Sequence, residues 1–122
     1  MQNEIKIKAD LLDDTGRLKH KGYSKRFLLK YNPENIRVHS LKALNGLRLK
    51  EWDYYGITTR DYFFSVCVAD IGYMGLAFAY FIDFKDRSLI HSQVVTPFGW
   101  GCRLPRTSEE GHIEFKLSLI HI

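Results

Sequence analysis

LKEWDYYGITTRDYFFSVCVADIGYMGLAFAYFIDF, residues 49–84, is the stretch that decides the fold. Aromatic and branched side chains recur at alternate positions in residues 62–70 and again in residues 74–84, which is the spacing of β-strands and not of helices. Between these two runs, Ile71-Gly72-Tyr73 predicts a three-residue turn, because glycine readily takes the positive φ that such turns need. The stretch therefore predicts a central antiparallel hairpin.

The predicted turn determines which residues of the hairpin lie opposite each other. It places Asp70 opposite Met74 and Ala69 opposite Gly75, so that one face of the hairpin carries large side chains and the other carries small ones. A hairpin that is apolar on both faces belongs inside a layered or closed sheet. The small face leaves room either for another element packed close to it or for a bound molecule.

Two further strands are predicted, one on each side of the hairpin. Alternation over residues 47–57 and 89–96 gives, with the hairpin, four strands joined by short turns, and such strands usually pair as neighbours. We therefore expect an all-β protein, an antiparallel meander that forms part of a barrel or sandwich. Turns are predicted at 13–16, 31–34 and 107–111 and a short strand at 112–115, while residues 41–46 fit either one helical turn or a loop.

The first predicted strand carries candidate chemistry. Alternation places Glu51, Asp53 and Tyr55 on one of its faces and Trp52 and Tyr54 on the other. Two carboxylates at positions i and i+2 among apolar neighbours can raise the pKa of one of them by mutual repulsion and desolvation, which is how a general acid and its charged companion are often made. The alternative is that basic side chains pair with both carboxylates at the sheet surface.

Further candidate residues lie at the predicted turns. Asp70 and Tyr73 bracket the hairpin turn, and we expect them to join the carboxylates of the first strand at the polar end of an apolar pocket. An antiparallel neighbour would nevertheless separate Asp53 from Asp70 by roughly 15–25 Å, at about 3.3 Å per residue, so this convergence requires a bulge, strong coiling or closure of the sheet. In residues 97–101, glycines flank Trp100, and we expect its indole to act as a lid over a cavity or as a plug over a sheet end. The candidate catalytic residues are Glu51, Asp53 and Asp70, and the candidate ligand-binding residues are Trp52, Tyr54, Tyr55, Tyr73 and Trp100.

Composition and charge exclude several classes of function. The 122 residues are 45% hydrophobic and 26% charged, which is typical of an ordinary globular domain. No run approaches the roughly 20 apolar residues of a membrane span, and the N-terminus lacks the apolar core of a signal peptide, so we expect a cytoplasmic protein. Residues 1–50 contain twelve Lys or Arg against five acids, a balance compatible with an anionic partner. Neither an aromatic RNA-binding motif nor a recognition helix accompanies this charge, so nucleic-acid binding is not expected.

The cysteines and histidines predict neither a disulfide framework nor a metal site. Cys67 and Cys102 have neither the number nor the spacing of either arrangement, and we expect two reduced thiols. The five histidines show no ligand spacing, so no metal and no cofactor are expected. Cys67, in the middle of an apolar strand, should be buried and slow to react, whereas Cys102, in a glycine-rich loop, should react readily.

The end of the chain, LSLIHI at residues 117–122, matches in order one reading frame of a transposon end sequence used to build sequencing libraries. We expect this segment to be a scar of library construction and the natural chain to continue beyond about Lys116. The alternative is a genuine short terminal strand. On the first view, residues 1–116 are the amino-terminal part of a single larger β domain or domain pair, truncated at its C-terminus.

Several motifs resemble one bacterial family. They are Leu11-Leu12-Asp13 with Gly16 and Leu18, Gly22-Tyr23-Ser24-Lys25-Arg26, Tyr31-Asn32, Leu49-Lys50-Glu51-Trp52-Asp53-Tyr54-Tyr55 and Ala69-Asp70-Ile71-Gly72-Tyr73-Met74-Gly75. Together they resemble the amino-terminal part of the uncharacterised family known as domain of unknown function 2804, whose members are considerably longer. The resemblance implies a truncated chain and carries no assigned activity. The strand-rich pattern of that family is similar in fold to the two-part lipocalin-like proteins that include tocopherol cyclase and carotenoid hydratase.

Three classes of function follow from these observations. The first is lipocalin-like binding of an apolar small molecule or lipid. The second is an enzyme that protonates, hydrates or cyclises such a molecule through Glu51, Asp53 or Asp70. The third is a non-enzymatic surface-interaction protein. A co-purified lipid would separate the first two from the third, and a buried carboxyl group with a raised pKa would separate an enzyme from a binder.

Overall fold

The computed structural model describes residues 2–38, 40–41, 44–107 and 113–116. The chain divides into two compact units, one formed by residues 1–45 with 105–112 and the other by residues 46–104 with 113–122. Most of the predicted turn at 107–111, the first residue of the strand predicted at 112–115, and the terminal segment 117–122 lie outside the described residues.

The first unit contains short elements joined by a side-chain amide. β1 (Ala9–Asp10) and β2 (Leu29–Lys30) form a parallel pair, and a 3-10 helix at Pro33–Asn35 overlaps the end of the turn predicted at 31–34. The buried amide of Asn32 accepts the Leu12 N–H at 3.0 Å and donates to the Leu12 carbonyl at 3.0 Å. The Asn32 side chain therefore satisfies the backbone N–H and carbonyl of Leu12, as the backbone of a neighbouring strand would.

The turn predicted at 13–16 is confirmed. The Asp13 carboxylate accepts the N–H of Thr15 at 2.8 Å and that of Arg17 at 3.0 Å, and Gly16 takes a φ of +82°. The hydrogen bond from the Thr15 hydroxyl, followed by those from the backbone, lowers the pKa of Asp13. A Cβ atom on Gly16 would lie 2.5 Å from the Asn35 carbonyl oxygen, so both the conformation and the space require glycine.

The second unit is built on the predicted antiparallel meander, in which the strands pair in the order β3-β4-β5-β6. A further antiparallel pair joins β7 to β8. In chain order, the elements are α1 (Asn45–Arg48), β3 (Glu51–Thr58), β4 (Tyr62–Asp70), β5 (Met74–Asp83), β6 (Leu89–Pro97), β7 (Cys102–Arg103) and β8 (Glu114–Phe115). The prediction of an all-β, antiparallel fold is confirmed.

The strand boundaries agree with the sequence pattern except at the start of the meander. β4 covers the predicted residues 62–70, and Pro97 is the last residue of β6, where its missing N–H is tolerated. The first strand begins at Glu51 and not at residue 47, because α1 occupies Asn45–Arg48. The prediction that this strand starts at residue 47, which followed from the spacing of Leu47 and Leu49, is therefore wrong.

The register of the central hairpin differs from the predicted one by one residue. The Ile71 N–H donates to the Met74 carbonyl at 2.9 Å, which leaves only two residues in the loop, and Asp70 pairs with Gly75. Gly72, the first of these loop residues, has a φ of +83°, as expected for a two-residue turn whose twist matches that of its strands. Since a slip of one residue exchanges the faces of one strand relative to its partner, the prediction of one bulky and one small face is wrong.

Each face of the four-stranded sheet instead combines small and large side chains. We name the faces by their charges, because every Asp and Glu of β3–β6 lies on one of them, and neither face carries Lys or Arg on these strands. The acidic face consists of Glu51, Asp53, Tyr55, Ile57, Tyr62, Phe64, Val66, Val68, Asp70, Gly75, Ala77, Ala79, Phe81, Asp83, Ile90, Ser92, Val94 and Thr96. The neutral face consists of Trp52, Tyr54, Gly56, Thr58, Phe63, Ser65, Cys67, Ala69, Met74, Leu76, Phe78, Tyr80, Ile82, Leu89, His91, Gln93, Val95 and Pro97.

Candidate functional site

The three candidate carboxylates lie at one end of the acidic face. Glu51 is directly opposite Asp70 on the neighbouring strand, and Asp53 follows two positions along β3, opposite Val68. Opposed Cβ atoms are about 4.5–5.5 Å apart, and a step of two residues along a strand is about 7 Å. The large separation expected between Asp53 and Asp70 is therefore wrong. The short connection at 59–61 brings Glu51 level with the hairpin turn, and the three residues meet without a bulge or closure of the sheet.

Asp70 is positioned by its own hairpin and by the loop that follows β6. Its half-buried carboxylate accepts the Gly72 N–H at 2.8 Å. A Cβ atom on Gly99, which has a φ of +68°, would lie 2.5 Å from the carboxylate atoms of Asp70. Glycine at this position therefore lets the loop at 98–101 approach the carboxylate closely.

The same loop also covers Gly75, which pairs with Asp70 and with Thr96. A Cβ atom on Gly75 would lie 2.5 Å from the Thr96 Oγ1 and 2.8 Å from the Cys102 Sγ. The Thr96 hydroxyl donates to the Trp100 carbonyl at 2.6 Å, which fixes the loop over the end of the sheet. Here a small residue accommodates a closely packed element, the first of the two roles expected for small residues in these strands.

Hydrogen bonds hold the loop at 98–101, whereas its indole is exposed. The Phe98 N–H donates to the Tyr73 carbonyl at 3.0 Å, and the Trp100 N–H donates to the Pro97 carbonyl at 3.0 Å. The Trp100 side chain is 65% exposed and does not plug the end of the sheet, so that interpretation is wrong. Its action as a lid stays a prediction.

Both thiols are unpaired and lie in different surroundings. Cys67 is buried in the middle of β4, as predicted, and this burial, together with the charge of Asp53, raises the pKa of its thiol. Cys102 begins β7 and does not lie in the loop, and its Sγ donates to the Ala69 carbonyl at 3.4 Å. Partial burial, followed by the negative charge of Asp70, raises the pKa of Cys102, so the ready reaction expected from a loop position no longer follows.

The structure divides the aromatic candidates among several places. Tyr55 shares the acidic face with the carboxylates, while Trp52 and Tyr54 lie on the neutral face. Tyr73 is exposed in the hairpin loop, and Trp100 is exposed in the loop after β6. The sequence pattern predicted the opposite faces of Tyr55 and of Trp52 and Tyr54, and the grouping of Tyr55 and Tyr73 with the carboxylates as one polar site stays a prediction.

Small residues of β4 on the neutral face are flanked by large side chains of β5, an arrangement that the sequence pattern did not predict. Ser65, Cys67 and Ala69 of β4 are buried, and their partners on the two neighbouring strands are large except for Gly56, which lies opposite Ser65. We call this arrangement the aromatic trough; its floor is Ser65, Cys67 and Ala69, its β3 side is Trp52 and Tyr54, and its β5 side is Leu76, Phe78 and Tyr80. The predicted register set the small residues of β4 opposite those of β5, so this signal became visible only with the correct pairing.

The described ranges contain neither a cluster of metal ligands nor a membrane-spanning helix. No group of three or more His, Cys, Asp or Glu side chains among those residues is arranged to hold a metal ion. His39, His112 and His121 lie outside those ranges. No helix in the described part of the chain has both the length and the apolar character needed to cross a membrane.

Comparison with known proteins extends the resemblance seen in the motifs to almost the whole chain. The family model of DUF2804, a domain of unknown function, matches residues 2–122. No match was found among curated proteins or among solved structures. The arrangement of side chains on the two faces is therefore the guide to function.

Proposed function

This chain belongs to the DUF2804 family, which is described only as a domain of unknown function, and we propose its function from the sheet itself. We propose that the protein binds an apolar small molecule or lipid in the aromatic trough, in the manner of a lipocalin-like binder. The observation that carries the proposal is a row of small residues on β4, bordered by Trp52 and Tyr54 on β3 and by Leu76, Phe78 and Tyr80 on β5.

The dimensions of the trough suit a small molecule. Neighbouring strands are about 4.8 Å apart, so the side chains of β3 and β5 that border β4 start about 10 Å apart. Small residues between them leave room for a ligand once the flanking side chains, which cover Ser65, Cys67 and Ala69 in the free protein, move apart. Sites for small molecules are typically concave and apolar, with few polar groups, whereas protein partners more often use flatter surfaces.

The exposure of the trough's aromatic side also supports a bound molecule. Trp52 is 64% exposed and Tyr54 is 52% exposed, although both belong to a strand whose backbone is fully paired with β4. Contiguous exposed apolar side chains are uncommon on soluble domains and usually mark a binding site. A molecule lying along β4 would cover both rings and recover the free energy of their burial.

Titration with a neutral fluorescent probe tests this proposal. N-phenyl-1-naphthylamine should bind the chain saturably, at about one molecule per chain, as the concave-site argument predicts. The double substitution Trp52→Ala/Tyr54→Ala should weaken probe binding at least about tenfold, because it removes both side chains of the β3 side of the trough. The matched control is Tyr73→Ala/Trp100→Ala, which removes two exposed aromatic side chains outside the trough. Binding that never saturates, or an equal loss in the control, would contradict the proposal.

A second candidate function is supported by the carboxylates of the acidic face. Glu51 and Asp70 lie opposite each other on adjacent strands, and Asp53 lies beside them. Neighbouring carboxylates of this kind are used in acid catalysis. An enzyme of this kind would protonate, hydrate or cyclise an apolar substrate lying on the acidic face. Incubating lipid extracts with the protein and following them by mass spectrometry tests this candidate. Glu51→Gln/Asp53→Asn should abolish any conversion and leave probe binding in the trough unchanged, and conversion by the double variant would exclude it.

A further inference from the structure

A buried hydroxyl group lies beneath the aromatic trough. Ser65 is 1% exposed, and its Oγ has no hydrogen-bond partner among the described residues. Burying a hydroxyl group without a partner costs free energy, and native proteins rarely keep such groups without a reason. Alanine at the same position would avoid this cost. The unpartnered hydroxyl therefore distinguishes Ser65 from the other small residues of the trough floor.

The pairing of the strands directs this hydroxyl into the trough. Ser65 is opposite Gly56 on one side and Tyr80 on the other, so its side chain is on the neutral face together with Tyr54 and Phe78. Phe78 and Tyr80 form an edge-to-face pair with ring centroids 5.2 Å apart. The hydroxyl thus sits in aromatic surroundings in which no fixed group satisfies it.

Tyr54 is the side chain that covers the approach to Ser65. Its ring leans along β3 over Gly56, where the Tyr54 Cε1 lies 3.2 Å and the Tyr54 Oη 3.5 Å from the position of an added Cβ. The Phe63 ring lies 3.4 Å from the same position. Because the Tyr54 side chain is half exposed and no described residue bonds to its hydroxyl, rotation about χ1 can swing the ring outward and uncover Ser65.

The charges of the two faces select the chemistry of the ligand. No Asp, Glu, Lys or Arg lies on the neutral face of β3–β6, and His91, at its edge, stacks on Tyr80 with centroids 5.9 Å apart. An ionic headgroup would lose its hydration here without gaining a partner of opposite charge. A neutral oxygen that reaches the trough floor would find one hydroxyl group there, that of Ser65, which both donates and accepts.

We propose that the aromatic trough takes an apolar molecule with one neutral oxygen, a long-chain or ring alcohol or ketone, whose oxygen bonds to the Ser65 Oγ after Tyr54 swings outward. This inference rests on the proposed function, and it specifies the ligand class, the polar contact and the gate. The ligand's hydrocarbon part lies along β4 over Cys67 and Ala69, between Trp52 and Phe78.

Displacement of N-phenyl-1-naphthylamine from the full 122-residue chain tests the ligand class. Three competitors with the same chain length are used: 1-decanol, sodium decanoate and decyltrimethylammonium. We expect 1-decanol to displace the probe at the lowest concentration, since it keeps the hydrogen bond and carries no charge. If sodium decanoate or decyltrimethylammonium displaced the probe at a lower concentration than 1-decanol, the inference about ligand class would be overturned.

Substitution of Ser65 tests the contact itself. Ser65→Ala should weaken the binding of 1-decanol about tenfold, which corresponds to the loss of one hydrogen bond of about 1.4 kcal/mol. The same variant should raise the urea midpoint of the free protein, because the unpartnered hydroxyl is gone. Loss of a serine with a purely structural role would lower the midpoint.

Ser92→Ala, at an exposed serine on the acidic face, is the matched control and should change neither quantity. Ser65→Cys, which keeps the side-chain connectivity and weakens the hydrogen bond, should fall between the wild type and Ser65→Ala in 1-decanol affinity.

The possible outcomes separate this inference from the proposed function. Absence of saturable probe binding by the wild type would overturn both. Saturable probe binding with the same 1-decanol affinity in the wild type, Ser65→Ala and Ser65→Cys would overturn the Ser65 contact and leave the proposed function standing. Faster probe association in Tyr54→Ala is expected if Tyr54 is the gate, and an unchanged rate would overturn the gate.

Discussion

The acidic and neutral faces belong to the same four strands, yet their side chains are arranged in opposite ways. At the Asp70 end of the acidic face, glycines at 75 and 99 let the backbone of a loop close over the strands. On the neutral face, the small residues lie under aromatic side chains of neighbouring strands, and Trp52 and Tyr54 stay more than half exposed. Small residues therefore produce a closed end where backbone approaches them and a trough where only side chains surround them.

The largest expected effect contrasts one glycine from each face. Gly75→Ala places a Cβ 2.5 Å from the Thr96 Oγ1 and 3.0 Å from the Gly99 Cα, and should destabilise the protein by about 1–3 kcal/mol, as overpacking does. Gly56→Ala meets only the Tyr54 and Phe63 rings, at 3.2 Å or more, and Tyr54 can move. That variant should change stability by no more than about 0.5 kcal/mol. Urea denaturation measures both, and equal losses would mean that the two faces are closed to the same extent.

Asp70 provides the next test of the closed end. Asp70→Ala removes the acceptor of the Gly72 N–H and should cost about 1–2 kcal/mol of stability, whereas Asp70→Asn keeps an acceptor oxygen and should cost less. Probe binding on the neutral face should stay unchanged in both variants. If Asp70→Ala were as stable as the wild type, the hydrogen bond would have no part in holding the turn.

Thiol labelling compares the two faces chemically. The negative charge of Asp70 contributes to the raised pKa of Cys102, so that less thiolate is present at pH 8 than in an ordinary cysteine. Asp70→Asn removes that charge and lowers the pKa of Cys102. Alkylation of Cys102 should therefore become about threefold faster at that pH. Cys67 should stay slow in both proteins because it is buried. Mass spectrometry of iodoacetamide-treated protein gives both rates, and an unchanged Cys102 rate would contradict the electrostatic account.

The smallest expected effect uses two neighbouring residues of β6 that point to opposite faces. Leu89 is 56% exposed on the neutral face and Ile90 is 66% exposed on the acidic face. Leu89→Lys and Ile90→Lys should each change stability by no more than about 0.5 kcal/mol, as exposed substitutions do. Thermal melts at several protein concentrations measure this. A loss above about 2 kcal/mol for only one of them would show that its face is buried in solution.

Local patterns were sufficient to predict the strands and to place some of the candidate residues. The alternation in residues 62–70 located β4 at both ends, and the alternation from Glu51 to Tyr55 assigned these side chains to the faces on which they lie. The helix at Asn45–Arg48 was predicted in part as strand, because the leucines on either side of Arg48 fit both periods over so short a stretch. The catalytic and ligand-binding roles of the candidates stay predictions.

The amino-acid sequence by itself determined that this protein is built on four antiparallel strands and belongs to the DUF2804 family, because side-chain alternation and motifs are local properties of the chain. Only the tertiary structure decided the register, since the free energy of a two-residue or a three-residue turn depends on the twist of the strands that it joins. That choice placed Ser65 opposite Tyr80, whereas the short connection at 59–61 placed Asp70 opposite Glu51. The approach of Gly99 to Asp70 likewise joins residues far apart in the chain, and no local pattern records such a contact.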